Sequence, residues 1–225
     1  MLTDSVAAAR LCFRLSTVLL IVFVAGFTAP SRADDLSQFV ARLQEHYAAT
    51  NAFSAKFTQT LTSAGGPPRQ RTGQIYYQKP GRLRWEFGQP QVESIVSDGT
   101  TIYDYDASLN QVVETPLQDA FKSHSTAAFI LGAGNLQRDF KIEQLSPSSG
   151  GIEHLAATPK DGGARLEFDV DRQTLNIVAF KITDALGNTD SVQLQDIRRN
   201  ITLDPALFKF IPPPGADIIK APPHV

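Results

Sequence analysis

The chain has 225 residues, of which 42% are hydrophobic and 20% charged, with 21 Lys and Arg against 23 Asp and Glu. A formal charge of −2 with no long basic run argues against nucleic acid or an anionic membrane surface as a partner. The single cysteine, Cys12, leaves no material for an internal disulfide framework, and the length suits one folded domain.

The N-terminus is read apart from the rest. Arg10 and Arg14 precede the apolar run Leu15–Phe27, and Ser31-Arg32-Ala33 follows with small residues at its first and third places. A basic start, a short apolar stretch and an A-x-A-like site describe a secretory signal peptide. The run is too short for a spanning helix, which needs roughly 18 apolar residues or more. The expectation is therefore a signal over residues 1–33, removed after Ala33, and one exported domain over 34–225. Cys12 lies before the apolar run and so cannot become a lipid-modified first residue. Loss of Arg10, Arg14, Arg32 and Asp4 with the signal leaves 18 basic residues against 22 acidic ones. A cysteine-free exported domain fits a bacterial periplasm.

In the stretch Asp35–Thr50, Leu36, Phe39, Val40, Leu43 and Tyr47 recur at i, i+3, i+4, i+7 and i+11. This spacing predicts an amphipathic helix, with Asp34 and Asp35 at its start, where the helix dipole favours them. Phe53–Thr62 alternates instead, with Phe53, Ala55, Phe57 and Leu61 on one parity, and reads as a strand closed by Gly65-Gly66-Pro67-Pro68. Further strands are expected at Gln70–Gln78, Arg82–Phe87, Val92–Ser97, Thr101–Asp106 and Gln111–Thr115. In Arg82–Phe87, Leu83, Trp85 and Phe87 share one face and Arg82, Arg84 and Glu86 the other, the alternation of a half-buried strand.

Pro116–Leu131 breaks the pattern and predicts one or two short helices, closed by Gly132 and Gly134. Its consecutive Phe129, Ile130 and Leu131 exceed what one helix face needs. Strands resume at Phe140–Leu145, Ile152–Thr158, Ala164–Val170, Leu175–Asp184 and Thr189–Arg198, and Phe208–Asp217 reads as a short apolar strand stopped by prolines. The fold class is α+β: an antiparallel sheet of about 10–11 strands that curls rather than staying flat, with helical pieces over one face. The covered space is either packed solid or left as a pocket.

A search for chemistry finds little. His46, His124, His154 and His224 do not stand at metal-ligand spacing, and no G-x-S-x-G elbow occurs. Gly132-Ala133-Gly134 reads as a helix stop rather than a phosphate cradle. Asp98, Asp104 and Asp106 are the most suggestive carboxylates, yet Asp98 and Asp106 fall where turns are expected, and Asp bonds its own backbone in turns. Asp161, Asp169 and Asp171 have the same turn explanation. No catalytic residue, metal or cofactor is assigned.

Four stretches together resemble a known family: Phe53–Gln59 (FSAKFTQ), Gly73–Trp85 (GQIYYQKPGRLRW), Ile95–Asp106 (IVSDGTTIYDYD) and Phe208–Asp217 (FKFIPPPGAD). The family is that of the periplasmic outer-membrane lipoprotein carriers, the LolA family, and the likeness runs through the exported part of the chain. The resemblance implies an incomplete antiparallel β-barrel with a helical lid over an apolar cavity. It also implies a non-enzymatic role: a monomeric carrier that accepts acylated lipoproteins from the inner-membrane ABC transporter LolCDE and delivers them to the outer-membrane acceptor LolB. By the same resemblance Leu83, Trp85 and Tyr103 face the cavity with Phe57 and Ile95 as neighbours, and Phe129, Ile130 and Leu131 belong to the lid. Best-known members carry an Arg before the motif proline that ties the lid to backbone carbonyls. Here that place holds Lys79, which offers three rotatable donors but no planar fork, so the latch is either weaker or passes to Arg82 or Arg84. A second reading keeps the fold and makes it a lipid- or stress-sensing module like RseB.

Overall fold

The computed structural model describes residues 32–88, 92–122, 135–160, 162 and 164–221. Helix α1 spans Arg32–Ala48, and the predicted stripe is its buried side: Phe39, Val40 and Leu43 are at most 3% exposed. The helix ends where Thr50 turns back and donates its hydroxyl to the His46 carbonyl at 2.8 Å. Among the described residues two shorter helices follow, α2 (Leu117–Lys122) and α3 (Leu136–Asp139). Asn135 caps α3 by accepting from the Arg138 N–H. The Leu136 N–H in turn donates to the Gln44 side chain, which fastens α3 to α1.

Twelve strands make one sheet. They are β1 (Ala52–Thr62), β2 (Arg69–Gln78), β3 (Arg82–Phe87), β4 (Glu93–Asp98), β5 (Thr101–Asp106), β6 (Gln111–Pro116), β7 (Phe140–Gln144), β8 (Ile152–Pro159), β9 (Leu166–Asp171), β10 (Ile177–Thr183), β11 (Thr189–Arg199) and β12 (Asp217–Lys220). Their order is β12-β6-β5-β4-β3-β2-β1-β11-β10-β9-β8-β7, so β1 and β11, distant in sequence, pair at the centre. All neighbours are antiparallel except β12, which runs parallel to β6. The end strands β7 and β12 do not pair with each other, so the sheet is open.

The turns follow side-chain chemistry. Asp98 accepts from the N–H groups of Thr100 and Thr101, and Asp106 from those of Ser108 and Leu109, so both carboxylates close turns as expected. Asp171 does the same for Gln173 and Thr174. Asp169 differs from the turn expectation: it lies inside β9 and pairs with His154 at 2.7 Å.

The open sheet is as expected, with twelve strands against about 10–11 anticipated. One expectation needs correction: the stretch read as a terminal strand at 208–217 is not one. Pro205–Phe208 forms a 3-10 turn, the chain then runs irregularly past Pro212–Pro214, and β12 begins only at Asp217. Three successive prolines lack the N–H that a ladder requires. Of the predicted helical insertion, α2 is observed, and the part from residue 123 onward, with Phe129, Ile130 and Leu131, lies outside the described residues.

Apolar residues pack on both faces of the first half of the sheet. On the inner face one core joins Phe39, Val40 and Leu43 of α1 to Ala55, Phe57, Ile75, Tyr77, Leu83 and Phe87, and continues to Leu155, Phe168, Phe180 and Val192. On the outer face Ala52, Leu203 and Phe208 form a smaller cluster with Tyr76, Ile201 and Leu207. The inner packing relies on Gly73, over which the Phe57 ring lies. A Cβ there would stand 1.9 Å from the Glu86 carbonyl and 2.7 Å from the Phe57 ring. Neither neighbour can yield without moving β1 or β3, and overpacking of this kind costs about 3 kcal/mol. Gly73→Ala is therefore expected to lower stability by that amount in urea unfolding, with Gly66→Ala, where a Cβ would meet only ordinary contacts, as a control.

Candidate functional site: an aromatic inner wall

Strand register decides which side chains meet. Ala55, Ile75, Trp85, Ile95 and Asp104 lie in one row across β1 to β5, and Leu83, Ser97 and Ile102 in the next. Phe57, Leu83, Trp85 and Ile95 thus share the inner face beneath α1. The Phe57 ring meets Trp85 and Phe87 edge-on at 5.2 Å each, while Trp85 and Phe87 stack at 6.1 Å. Phe180 closes the wall from β10, edge-on to Trp85 at 6.4 Å. Edge-to-face and offset rings at these separations attract beyond their area burial. Trp85 and Ile95 are only half-buried, and the buried indole Nε1 of Trp85 has no hydrogen-bond acceptor among the described residues.

Tyr103 is a correction. It pairs with Val96, and Val96 with Arg84, which puts it on the outer face one residue out of phase with Trp85. Because side-chain direction alternates with period two, the β5 residue in Trp85's row is Asp104. Tyr103 instead stacks on Phe210 at 5.2 Å and turns its hydroxyl towards Asp98. The C-terminal segment makes this possible by lying across the outer face, where an aromatic strand residue finds cover as good as inside. Arg84 shares that face. It donates to the Leu207 carbonyl at 3.0 Å and to Glu86 at 2.6 Å, so it fastens the 3-10 turn to β3. A groove of about 610 Å³ borders it, lined by Gln74, Glu86, Tyr105, Lys209 and Phe210 among others.

Lys79 has a different place. Its Nζ donates to the carbonyls of Tyr47 at 2.9 Å and Ala48 at 2.7 Å, the last residues of α1. A cation at a helix C-terminus meets unsatisfied carbonyls and the negative end of the dipole. The ammonium therefore ties down the helix that covers the inner wall. Around it, Ile177 donates its N–H to the Tyr47 hydroxyl and Arg199 donates to Thr50. Whether Lys79 also meets Phe129, Ile130 or Leu131 concerns residues outside those described.

A polar network that sequence reasoning missed sits at one end of the aromatic wall. Arg71 lies over the Phe87 ring at 4.0 Å, donates to Gln59 from Nε and Nη2, and pairs with Glu93 through Nη1. Gln59 passes the bonding on, donating to both oxygens of Asp190 at 2.9 Å. Burial, and then the charges of Glu93 and Asp106, push the Asp104 carboxyl above the usual carboxylate range, and burial does the same to Asp190. Among the described residues no group of three or more His, Cys, Asp or Glu is placed to hold a metal ion. The signal for this network was faint: Gln59 and Arg71 are single polar residues in strands whose neighbours are polar as well.

An open antiparallel sheet with an aromatic inner wall under a terminal helix defines the class, an incomplete barrel with a covered apolar face. The particular family follows from comparison. Residues 48–211 match the family described as outer membrane lipoprotein carrier protein LolA, and the chain belongs to that family. Among similar proteins, the outer-membrane lipoprotein carrier protein of Chromobacterium violaceum is 32% identical over 87% of this chain and 92% of its own length. That of Leptothrix cholodnii is 30% identical over 95% and 99%. A conserved protein of Thermus thermophilus shares the fold, with a TM-score of 0.51 at 15% identity over 83% of this chain.

Tyr47 of α1 and Tyr77 of β2 give this region a pH dependence. Burial pushes the hydroxyls of Tyr47 and Tyr77 up to about 12. The folded state thus holds them neutral while the unfolded chain ionises near pH 10, so their contribution is intact below pH 10 and falls as pH rises towards 12. Tyr47→Phe is expected to start from a lower stability, because the Ile177 N–H loses its acceptor. It should also show a shallower decline between pH 10 and 12, read by urea unfolding at a series of pH values.

Proposed function

We propose that this protein is a periplasmic carrier that hides the acyl chains of lipoproteins between the inner and the outer membrane. The observation that carries the reading is the aromatic inner wall of Phe57, Leu83, Trp85 and Ile95 beneath α1, in a chain of the LolA family. Residues 1–33 act as an export signal removed after Ala33, and residues 34–225 work as a monomer in the periplasm. LolCDE or an equivalent transporter supplies the lipoprotein, and LolB or an equivalent acceptor takes it. The relatives carry the carrier description across nearly their whole length, and no observation favours the sensing role over it.

The physics of such a task is demanding. Each methylene kept from water is worth about 0.8 kcal/mol, so one long acyl chain left in water costs on the order of 10 kcal/mol. The carrier must supply a surface that matches this and still give the chain up. A wall covered by the protein's own helix meets both needs, because the helix and the ligand compete for the same aromatic rings. Lys79, with its two bonds to the end of α1, sets part of that balance, and Phe129, Ile130 and Leu131 serve as the lid's apolar contribution. Transfer of this kind breaks no covalent bond in the ligand and uses neither nucleophile nor cofactor.

The test is release of lipoprotein from membranes. Vesicles holding LolCDE, a triacylated lipoprotein and ATP should yield a soluble complex with the protein purified from the periplasm. Leu83→Glu should reduce the yield at least tenfold while circular dichroism stays that of the parent. Lipoprotein that stays with the vesicles in the presence of the parent protein rules the carrier reading out.

A further inference from the structure

Acyl chains are common to lipoproteins and to phospholipids, so an aromatic wall alone does not separate them. The two ligands differ at the head. A triacylated cysteine carries neutral ester and amide carbonyls, which only accept hydrogen bonds, whereas a phospholipid carries a phosphate with its negative charge.

The inner face has donors where such a head would lie. Arg71 covers the Phe87 ring and so continues the aromatic wall directly into a charged group. A guanidinium has five N–H groups. Three of those on Arg71 are engaged by Gln59 and Glu93, and the others have no acceptor among the described residues. Trp85, stacked on the same Phe87, adds the buried indole N–H that also lacks one. A donor left unpaired beside apolar surface is unfavourable, so carbonyl oxygens brought alongside the wall would be well received.

The surroundings of Arg71 favour a neutral acceptor over an anion. Glu93 pairs with the guanidinium, Asp190 binds it through Gln59, and Asp104 lies within electrostatic reach of both Arg71 and Glu93. One cation thus stands among three carboxylates; Arg71, Glu93 and Asp190 are partly buried, where charge is screened less than in open water, while Asp104 is exposed. Carbonyls meet no penalty there, while a phosphate is repelled.

We propose that Arg71, held by Gln59 and Glu93 beside Phe87 and Trp85, receives the ester and amide carbonyls of the acylated cysteine, and that Glu93, Asp104 and Asp190 turn phospholipids away. This selectivity rests on the carrier reading above. It makes the network a specificity element at the polar end of an apolar wall, where rejecting the abundant anionic lipid matters as much as binding the rare neutral one.

The experiment uses the protein purified from the periplasm, with three probes: N-phenyl-1-naphthylamine as a neutral apolar dye, a tripalmitoylated cysteinyl peptide, and phosphatidylglycerol. For Arg71→Met the ratio of lipopeptide affinity to dye affinity should fall at least tenfold. For Asp104→Asn combined with Asp190→Asn, phosphatidylglycerol should displace the dye at least fivefold better than from the parent. Because removal of Arg71 strands Glu93, the parent protein is also examined by side-chain nitrogen NMR. The Arg71 Nε–H signal should shift on adding the lipopeptide and stay in place with the dye alone. An unchanged affinity ratio in Arg71→Met, continued exclusion of phosphatidylglycerol by the double variant, or an Arg71 signal indifferent to lipopeptide overturns the inference while leaving the carrier reading intact. A parent protein that binds neither dye nor lipopeptide overturns both.

Discussion

The inner wall depends on one close approach, the Phe57 ring lying across β2 at Gly73. With no Cβ at that position, the ring settles against the backbone and turns its edges to Trp85 and Phe87. From there the contacts run outward in both directions, to Phe180 on β10 and to Arg71 at the polar end. The central pairing of β1 with β11 brings the two halves of the sheet close enough for this, and places Leu194 opposite Phe57. A side chain at Gly73 would separate β2 from its neighbours at the point where the aromatic set is assembled.

Most of the architecture was legible because the chain repeats its signals. The 3.6-residue stripe from Leu36 to Tyr47 became the buried side of α1, and period-two alternation with Asp- and Gly-containing turns located eleven strands. What failed did so for physical reasons. Periodicity gives the parity of a strand but not which parity faces in, and here apolar residues pack on both faces of β2 to β5, the main core on one and the C-terminal segment on the other. Tyr103 thus lies on the face opposite to Leu83 and Trp85, whose alternate neighbours are charged. The short β12 was invisible because it pairs in parallel with β6 across a gap of a hundred residues, and its four residues are all exposed.

The site was less legible than the fold. Phe57, Leu83, Trp85 and Ile95 do gather on one face, and Lys79 does bind backbone carbonyls, though those at the end of α1. Arg84, read as a possible substitute for it, points the other way and secures the C-terminal segment. The Arg71 network escaped notice since its members come from four strands, and each alone is an ordinary polar residue. Together they place a hydrogen-bonding end on a greasy wall, the arrangement suited to an amphiphile.

Central to all of this is the claim that the ligand's acyl chains lie against the inner face and not in the groove under Phe210. A photo-crosslinking phenylalanine analogue placed singly at Ile95 or at Tyr103 separates the two, because adjacent strands hold these residues on opposite faces. After capture of a triacylated lipoprotein and irradiation, attachment to the acyl chains should occur from position 95 and not from position 103. Attachment from position 103 alone would contradict the inner wall as the binding surface.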